Sequence, residues 1–192
     1  MLAANRNNER CFYMKLSIRK LVTASVIGAL YAALTLVNPL AYGPIQFRFS
    51  EVLCILPFFF PASAFGLTVG CVVANLIGPY GALDIVFGSL ATLLAGTCTA
   101  AIGLKARRSG NIGWGACIAA CLMPVIFNAP IVGAVIAYAS TEFTFWKGLV
   151  LYGAQIGLGE AAVMLILGLP AIRYILKNPA LSALLCRPEQ DR

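Results

Sequence analysis

Eight polar residues stand apart in this chain because their neighbours are almost all apolar: Gln46, Arg48, Glu51, Asn75, Asp84, Asn128, Gln155 and Glu160. Three of them share one stretch, YGPIQFRFSEVLCILPFFFPA, residues 42–62. There Arg48 and Glu51 lie three residues apart, at the lip of a run of Leu, Pro and Phe. Carboxylates and amide oxygens accept hydrogen bonds, while amide nitrogens and the guanidinium donate them. Together they can hold a small polar guest. They lack the parts of a catalytic centre. The chain has no His, which removes the HExxH zinc site and the Ser–His and Cys–His pairs. Cys117 and Cys121, four apart, can share a helix face, but no further ligands accompany them. The seven cysteines read as small, reduced, buried side chains, and neither metal nor cofactor is expected.

Each polar residue also has a plainer reading. Arg48 and Glu51 can pair with each other. Asp84 suits the N-cap of a following helix, and Asn75 and Asn128 can bond to nearby backbone. Glu160 is harder to set aside, because no Lys or Arg shares its depth. A buried acid of that kind is protonated, hydrogen-bonded to an amide, or faces a cationic ligand. Tyr42, Tyr80 and Trp146 fit interfacial anchors and can also stack on a planar ligand.

The elements that carry these residues are membrane segments. The chain is 60% hydrophobic and 11% charged, with mean hydropathy +0.88, whereas a soluble domain averages about a quarter charged residues. The net charge of +7 comes from residues that flank apolar runs. They form no stripe with interleaved aromatics, so nucleic acid is not an expected partner. Apolar runs cover 17–38, 51–60, 61–78, 84–104, 113–139 and 146–172. Four are long enough to span, since about 20 helical residues cross the hydrocarbon. The 51–78 stretch holds Pro57 and Pro61 and reads as one kinked helix or two segments. A helix over 51–60 alone would reach only about 15 Å.

Charge chooses between these readings, because Lys and Arg collect on the cytoplasmic side. With two segments in 51–78, twelve of the fourteen Lys and Arg fall inside, leaving Arg48 and Lys147 outside. With one, KARRSG at 105–110 would face outward. The expected architecture is therefore an all-α membrane protein. It is a six-helix transmembrane bundle over 17–176, with a short second helix and both termini cytoplasmic. Residues 1–16 and 177–192 are expected to be cytoplasmic tails, with their polar stretches NRNNER and RPEQDR loose. Asn128 then lies about 16 Å and Gln155 about 13 Å from the outer ends of their helices, at matching depth, with Glu160 deeper. Polar groups gather toward the outer half, as a cup for a ligand would require. In the first helix, Gly28 and Ala32, and likewise Ala29 and Ala33, stand four apart. Such stripes let another helix approach closely, either in this chain or in a separate membrane subunit.

The stretches YGPIQFRFSEVLCILPFF and NLIGPYGALDIVFGSLATLLAG, with the small-residue stripe of the first helix, resemble the QueT family. These are substrate-binding S components of energy-coupling factor (ECF) transporters. The resemblance runs from about Ser17 to Tyr174; Phe49 stands where the family usually has Ile or Leu. It implies six helices, a substrate cup near the outer face of the cell membrane, and a queuosine precursor, a deazaguanine base, as substrate. It also implies a transmembrane T component and two cytosolic ATPases as partners, with Gly28, Ala29, Ala32 and Ala33 as the docking stripe. The chain has no GxxxxGK[ST] phosphate loop of its own. A transporter acting alone, coupled to protons or ions through Glu160, is the alternative. A membrane enzyme is disfavoured, because no nucleophile has a base beside it.

Overall fold

The computed structural model describes residues 18–42, 47–110 and 112–185. Among them there is helix and no strand. Helix α1 is Ile18–Val37, and a short 3-10 turn, Pro39–Tyr42, follows it. A 3-10 helix, Phe49–Phe58, precedes α2, Ser63–Asn75. The remaining helices are α3, Gly81–Arg108; α4, Trp114–Ala139; α5, Phe145–Lys177; and the short α6, Pro179–Leu185. Helices α1, α3, α4 and α5 are long and apolar enough to cross a membrane, while Phe49–Phe58 and Ser63–Asn75 are shorter apolar helices. The outer surface is greasy: Val37 is 81% and Leu158 74% exposed. Buried positions include Arg48, Glu51, Asp84 and Glu160. That inversion fits a chain whose solvent is lipid.

The segment after Arg48 is drawn out as 3-10 helix. Pro57 has no N–H to give, and the Phe59 N–H bonds to the Leu56 carbonyl, three residues back, at 2.9 Å. At about 2.0 Å per residue, ten such residues reach about 20 Å, further than the α-helix that the sequence suggests. Phe58 and Ile55 sit in the main core with Tyr31, Leu67, Met164 and Ile172. The end of the 3-10 helix is held from α3, because Arg107 donates to the Phe58 carbonyl. Gly103 lets the two backbones meet, since a Cβ there would lie 2.1 Å from the Phe58 oxygen.

Helices α1 and α2 cross almost backbone to backbone. A Cβ on Gly28 would lie 2.3 Å from the Gly66 oxygen, and one on Gly66 2.0 Å from the Ala24 oxygen. Gly28 and Ala32, two of the four expected docking residues, are therefore buried inside this chain. Ala29 and Ala33 are exposed on the other side of α1. Helices α4 and α5 meet where a Cβ on Gly133 would lie 2.7 Å from Gly153 Cα. Pro124 sits within α4 and cannot bond to the Ala120 carbonyl. Thr99 Oγ1 of α3 bonds to that carbonyl at 3.3 Å, as a backbone group freed in lipid requires.

One expectation changes. The helix around Asp84 begins at Gly81, a position with φ +66° that suits glycine, and Asp84 makes no side-chain cap hydrogen bond. In the C-terminal tail the described residues include one short helix, α6, while RPEQDR lies outside them. Asn178 Oδ1 accepts from the Ala180 N–H at 3.1 Å and starts α6. The N-terminal tail 1–16 lies outside the described residues.

Candidate ligand-binding site

The polar residues are carried to one place by five different segments. Arg48 immediately precedes the 3-10 helix in extended conformation. Its Nε donates to the Ala41 carbonyl at 3.3 Å, and one terminal nitrogen lies 3.8 Å from Asp84 Oδ2. Glu51 sits in the first turn of the 3-10 helix. The Tyr31 hydroxyl donates to Glu51 Oε1 at 2.6 Å, and the Cys54 thiol donates to Oε2 at 3.1 Å. One turn along α1 from Tyr31, Thr35 Oγ1 lies 2.7 Å from Ser50 Oγ and 2.8 Å from the Tyr31 carbonyl. Helix α1 thus grips the start of the 3-10 helix at two adjacent residues.

Asp84 opens a π-turn, Asp84–Gly88, within α3. The wider turn leaves an extra residue in the helix, a feature common at functional sites. Asn75, at the end of α2, holds this turn by donating from Nδ2 to the Asp84 carbonyl at 2.9 Å. Gly88 has no side chain to intrude; a Cβ there would come within 2.8 Å of both Asn75 Nδ2 and Asp84 Oδ1. From the α4–α5 side, Asn128 Nδ2 donates to Glu160 Oε1 at 2.7 Å. Glu160, like Glu51, is buried.

These residues enclose a cavity of about 20 Å³, measured as room for the centres of water-sized spheres. That holds a water molecule or two. Arg48, Glu51, Thr92, Asn128 and Glu160 form its polar wall, with Gly88, Val132 and Ile156 completing it. Of the eight residues expected from sequence, Arg48, Glu51, Asn128 and Glu160 line it. Asn75 and Asp84 stand directly behind Gly88. Gln155 is half-buried beside the lining residue Ile156, with Oε1 buried and unpartnered. Gln46 lies outside the described residues.

The partner of Asn128 is Glu160 rather than a residue at the level of Gln155. The crossing of Gly133 over Gly153, and of Ala129 against Gly157, sets the register that puts Asn128 level with the turn containing Glu160. Arg48 is directed at Asp84 and Glu51 is held by Tyr31 and Cys54. Tyr31, Cys54, Gly88 and Thr92 are site residues that the sequence does not single out. Tyr31 carries a signal, a phenol amid the small residues of the first helix. Gly88 and Thr92 carry none, because they look like packing residues in any membrane helix.

Chemically, the arrangement offers carboxyls, an amide and a guanidinium that could hydrogen-bond a small polar guest. Among the described residues, no group of His, Cys, Asp and Glu could hold a metal ion. A lipid-faced helical bundle enclosing one buried, charged cavity has the build of a membrane transport protein. The chain belongs to the QueT transporter family, which matches residues 21–177. A relative from Lactococcus lactis subsp. cremoris (strain MG1363), a queuosine precursor transporter QueT, is 36% identical over 77 residues. That alignment covers 38% of this chain and 45% of the relative, so the match spans about half of the relative's length. No solved structure matches.

Proposed function

We propose that the chain is the substrate-binding membrane subunit of an ATP-driven ECF uptake transporter, carrying a queuosine precursor, a deazaguanine base. The observation that carries this reading is the convergence of Arg48, Glu51, Asn128 and Glu160 on one buried cavity. A guanine-like edge brings several N–H donors and a carbonyl, and this cavity is walled by carboxylates, an amide and a guanidinium that complement it. The name of the Lactococcus relative supports the substrate class. Binding requires the cavity to widen, because small-molecule pockets generally occupy about 300–1,000 Å³.

In this reading six segments lie in the cell membrane with both termini cytoplasmic. Residues 105–110 face inward and the loop before Arg48 faces outward, where the base is captured. The exposed Ala29–Ala33 face of α1 docks to a transmembrane T component joined to two cytosolic ATPases. Their ATP hydrolysis drives release inside. Gly28 and Ala32 support the docking face from within by holding α1 on α2.

Glu160, buried and lining the cavity, also suits the coupling acid of a transporter that works alone. Titration calorimetry of the detergent-purified chain against queuosine precursors, guanine and riboflavin tests the main reading. Saturable binding of a precursor and not of riboflavin is expected; binding of none of the precursors refutes it. Uptake by the chain in liposomes without any ATPase would establish the stand-alone alternative.

A further inference from the structure

The end of the bundle where α3 stops and α4 starts carries positive charge that the cavity does not use. Arg173, near the end of α5, reaches this place. Its guanidinium carbon lies 4.3 Å from the centre of the Trp114 ring, and its Nη1 lies 3.5 Å from the Ile112 carbonyl. Lys177, one turn beyond Arg173, is exposed, as are Lys105 and Arg108 in the last turn of α3. Among the described residues no acid balances these cations. Glu51, Asp84 and Glu160 gather around the cavity, and Glu142 lies in the α4–α5 connection at the opposite end. Arg173 is also seated in a way that a mere marker of membrane sidedness does not require. Stacking on the indole holds the plane of its guanidinium, and its Nε is buried without a hydrogen-bond partner. Trp114 is 58% and Tyr174 65% exposed. Aromatic residues so placed, at the ends of apolar helices, sit at headgroup level. One turn into α4 from Trp114, Ile118 is exposed as well.

We propose that Arg173 and Lys177 bind the phosphate of an anionic phospholipid headgroup, with the acyl chain lying along Trp114 and Ile118. A guanidinium donates to two phosphate oxygens at once, and a lysine ammonium adds a mobile point charge. Lys105 and Arg108 add to the attracting field from the end of α3. Basic pockets between membrane helices hold anionic headgroups by this chemistry. The apolar surface beside the cations selects a lipid over soluble phosphate, which has no use for Trp114 or Ile118. The lipid serves as a fixed counter-ion for charges that the chain leaves unbalanced at this end, and the inference does not depend on what the cavity binds.

The chain has two tryptophans, so Trp146→Phe leaves Trp114 as the sole indole and a direct probe. The full chain with this change is reconstituted in phosphatidylcholine vesicles that contain brominated phosphatidylglycerol or brominated phosphatidylcholine in equal amounts. Bromine quenches an indole beside it, so the two quenching curves give the relative affinity of the lipids at Trp114. One basic residue near an anionic headgroup contributes about fivefold in affinity. Phosphatidylglycerol should therefore be preferred at least about fivefold, and Arg173→Gln and Lys177→Gln should each cut the preference by at least about threefold. Equal quenching of Trp114 by the two lipids overturns the inference, as does a preference that both substitutions leave unchanged. If Arg173→Gln does not fold, the lipid comparison and the exposed Lys177→Gln decide. Inorganic phosphate that erases the preference, where chloride of equal ionic strength does not, makes this a site for a soluble anion and overturns the lipid assignment.

Discussion

Replacing Glu51 by Gln and by Ala separates what this carboxyl does for the ligand from what it does for the fold. Both changes remove one charge from the cavity wall. A hydrogen bond to a charged group contributes about 1.5–3 kcal/mol. At about 1.4 kcal/mol per tenfold in affinity, its loss predicts binding weaker by about 10- to 150-fold in either variant. Stability should divide them. In Glu51→Gln the amide oxygen can still accept from the Tyr31 hydroxyl, which lies 2.6 Å from Glu51 Oε1 in the wild type. The melting temperature of Glu51→Gln should lie close to that of the wild type. Glu51→Ala leaves the Tyr31 hydroxyl without an acceptor, on a side chain with no solvent exposure. An unsatisfied buried donor costs about 1–3 kcal/mol, so this variant should melt lower. Calorimetry with a queuosine precursor and thermal unfolding in the same detergent give both readouts. A dissociation constant for Glu51→Gln within threefold of wild type would remove Glu51 from the site. An affinity loss that merely tracks the fall in melting temperature would make its role structural.

Three further changes probe the frame around the site. Gly66→Ala places a methyl carbon 2.0 Å from the Ala24 oxygen, so α1 and α2 must separate; a loss of at least about 1–3 kcal/mol is expected, read as a lower melting temperature. Replacing Ala29 and Ala33 together by Leu adds bulk to an exposed face; ligand binding by the purified chain should persist while uptake in cells carrying the complete transporter is abolished, and intact uptake would refute the docking assignment. Thr99→Val removes the donor 3.3 Å from the Ala120 carbonyl freed by Pro124 and should cost about 1 kcal/mol, measured by thermal unfolding, with ligand affinity unchanged.

Much of this fold is legible in the sequence because lipid imposes a simple rule: long apolar runs become helices. The runs near 17–38, 84–104, 113–139 and 146–172 correspond to the four long helices, and the two short runs to Phe49–Phe58 and Ser63–Asn75. Composition says nothing of how each segment is wound. The 3-10 course of Phe49–Phe58 and the π-turn at Asp84–Gly88 follow from packing, and they decide how far Glu51 and Asp84 reach. Register is equally hidden. Counting residues to helix ends puts Asn128 and Gln155 at matching depth, but which side chain Asn128 meets follows from the Gly133–Gly153 crossing and its bond to Glu160.

Helix α1 shows where a sequence pattern stops discriminating. Gly28 with Ala32 and Ala29 with Ala33 are the same motif one residue apart, yet a step of about 100° around the helix separates a buried contact from an exposed one. The buried side carries more than small residues. Tyr31 and Thr35 lie on it, bonded to Glu51 and placed against Ser50. The helix proposed to meet the partner subunit is therefore the helix that orients the cavity's central carboxyl. A shift of α1 relative to the 3-10 helix cannot leave the 2.6 Å Tyr31–Glu51 bond intact, and Glu51 is the point at which Cys54 and Tyr31 converge. In the proposed reading, docking on one face of α1 and ligand release at the other would be mechanically joined through the Tyr31 phenol, with no need for a longer path through the bundle.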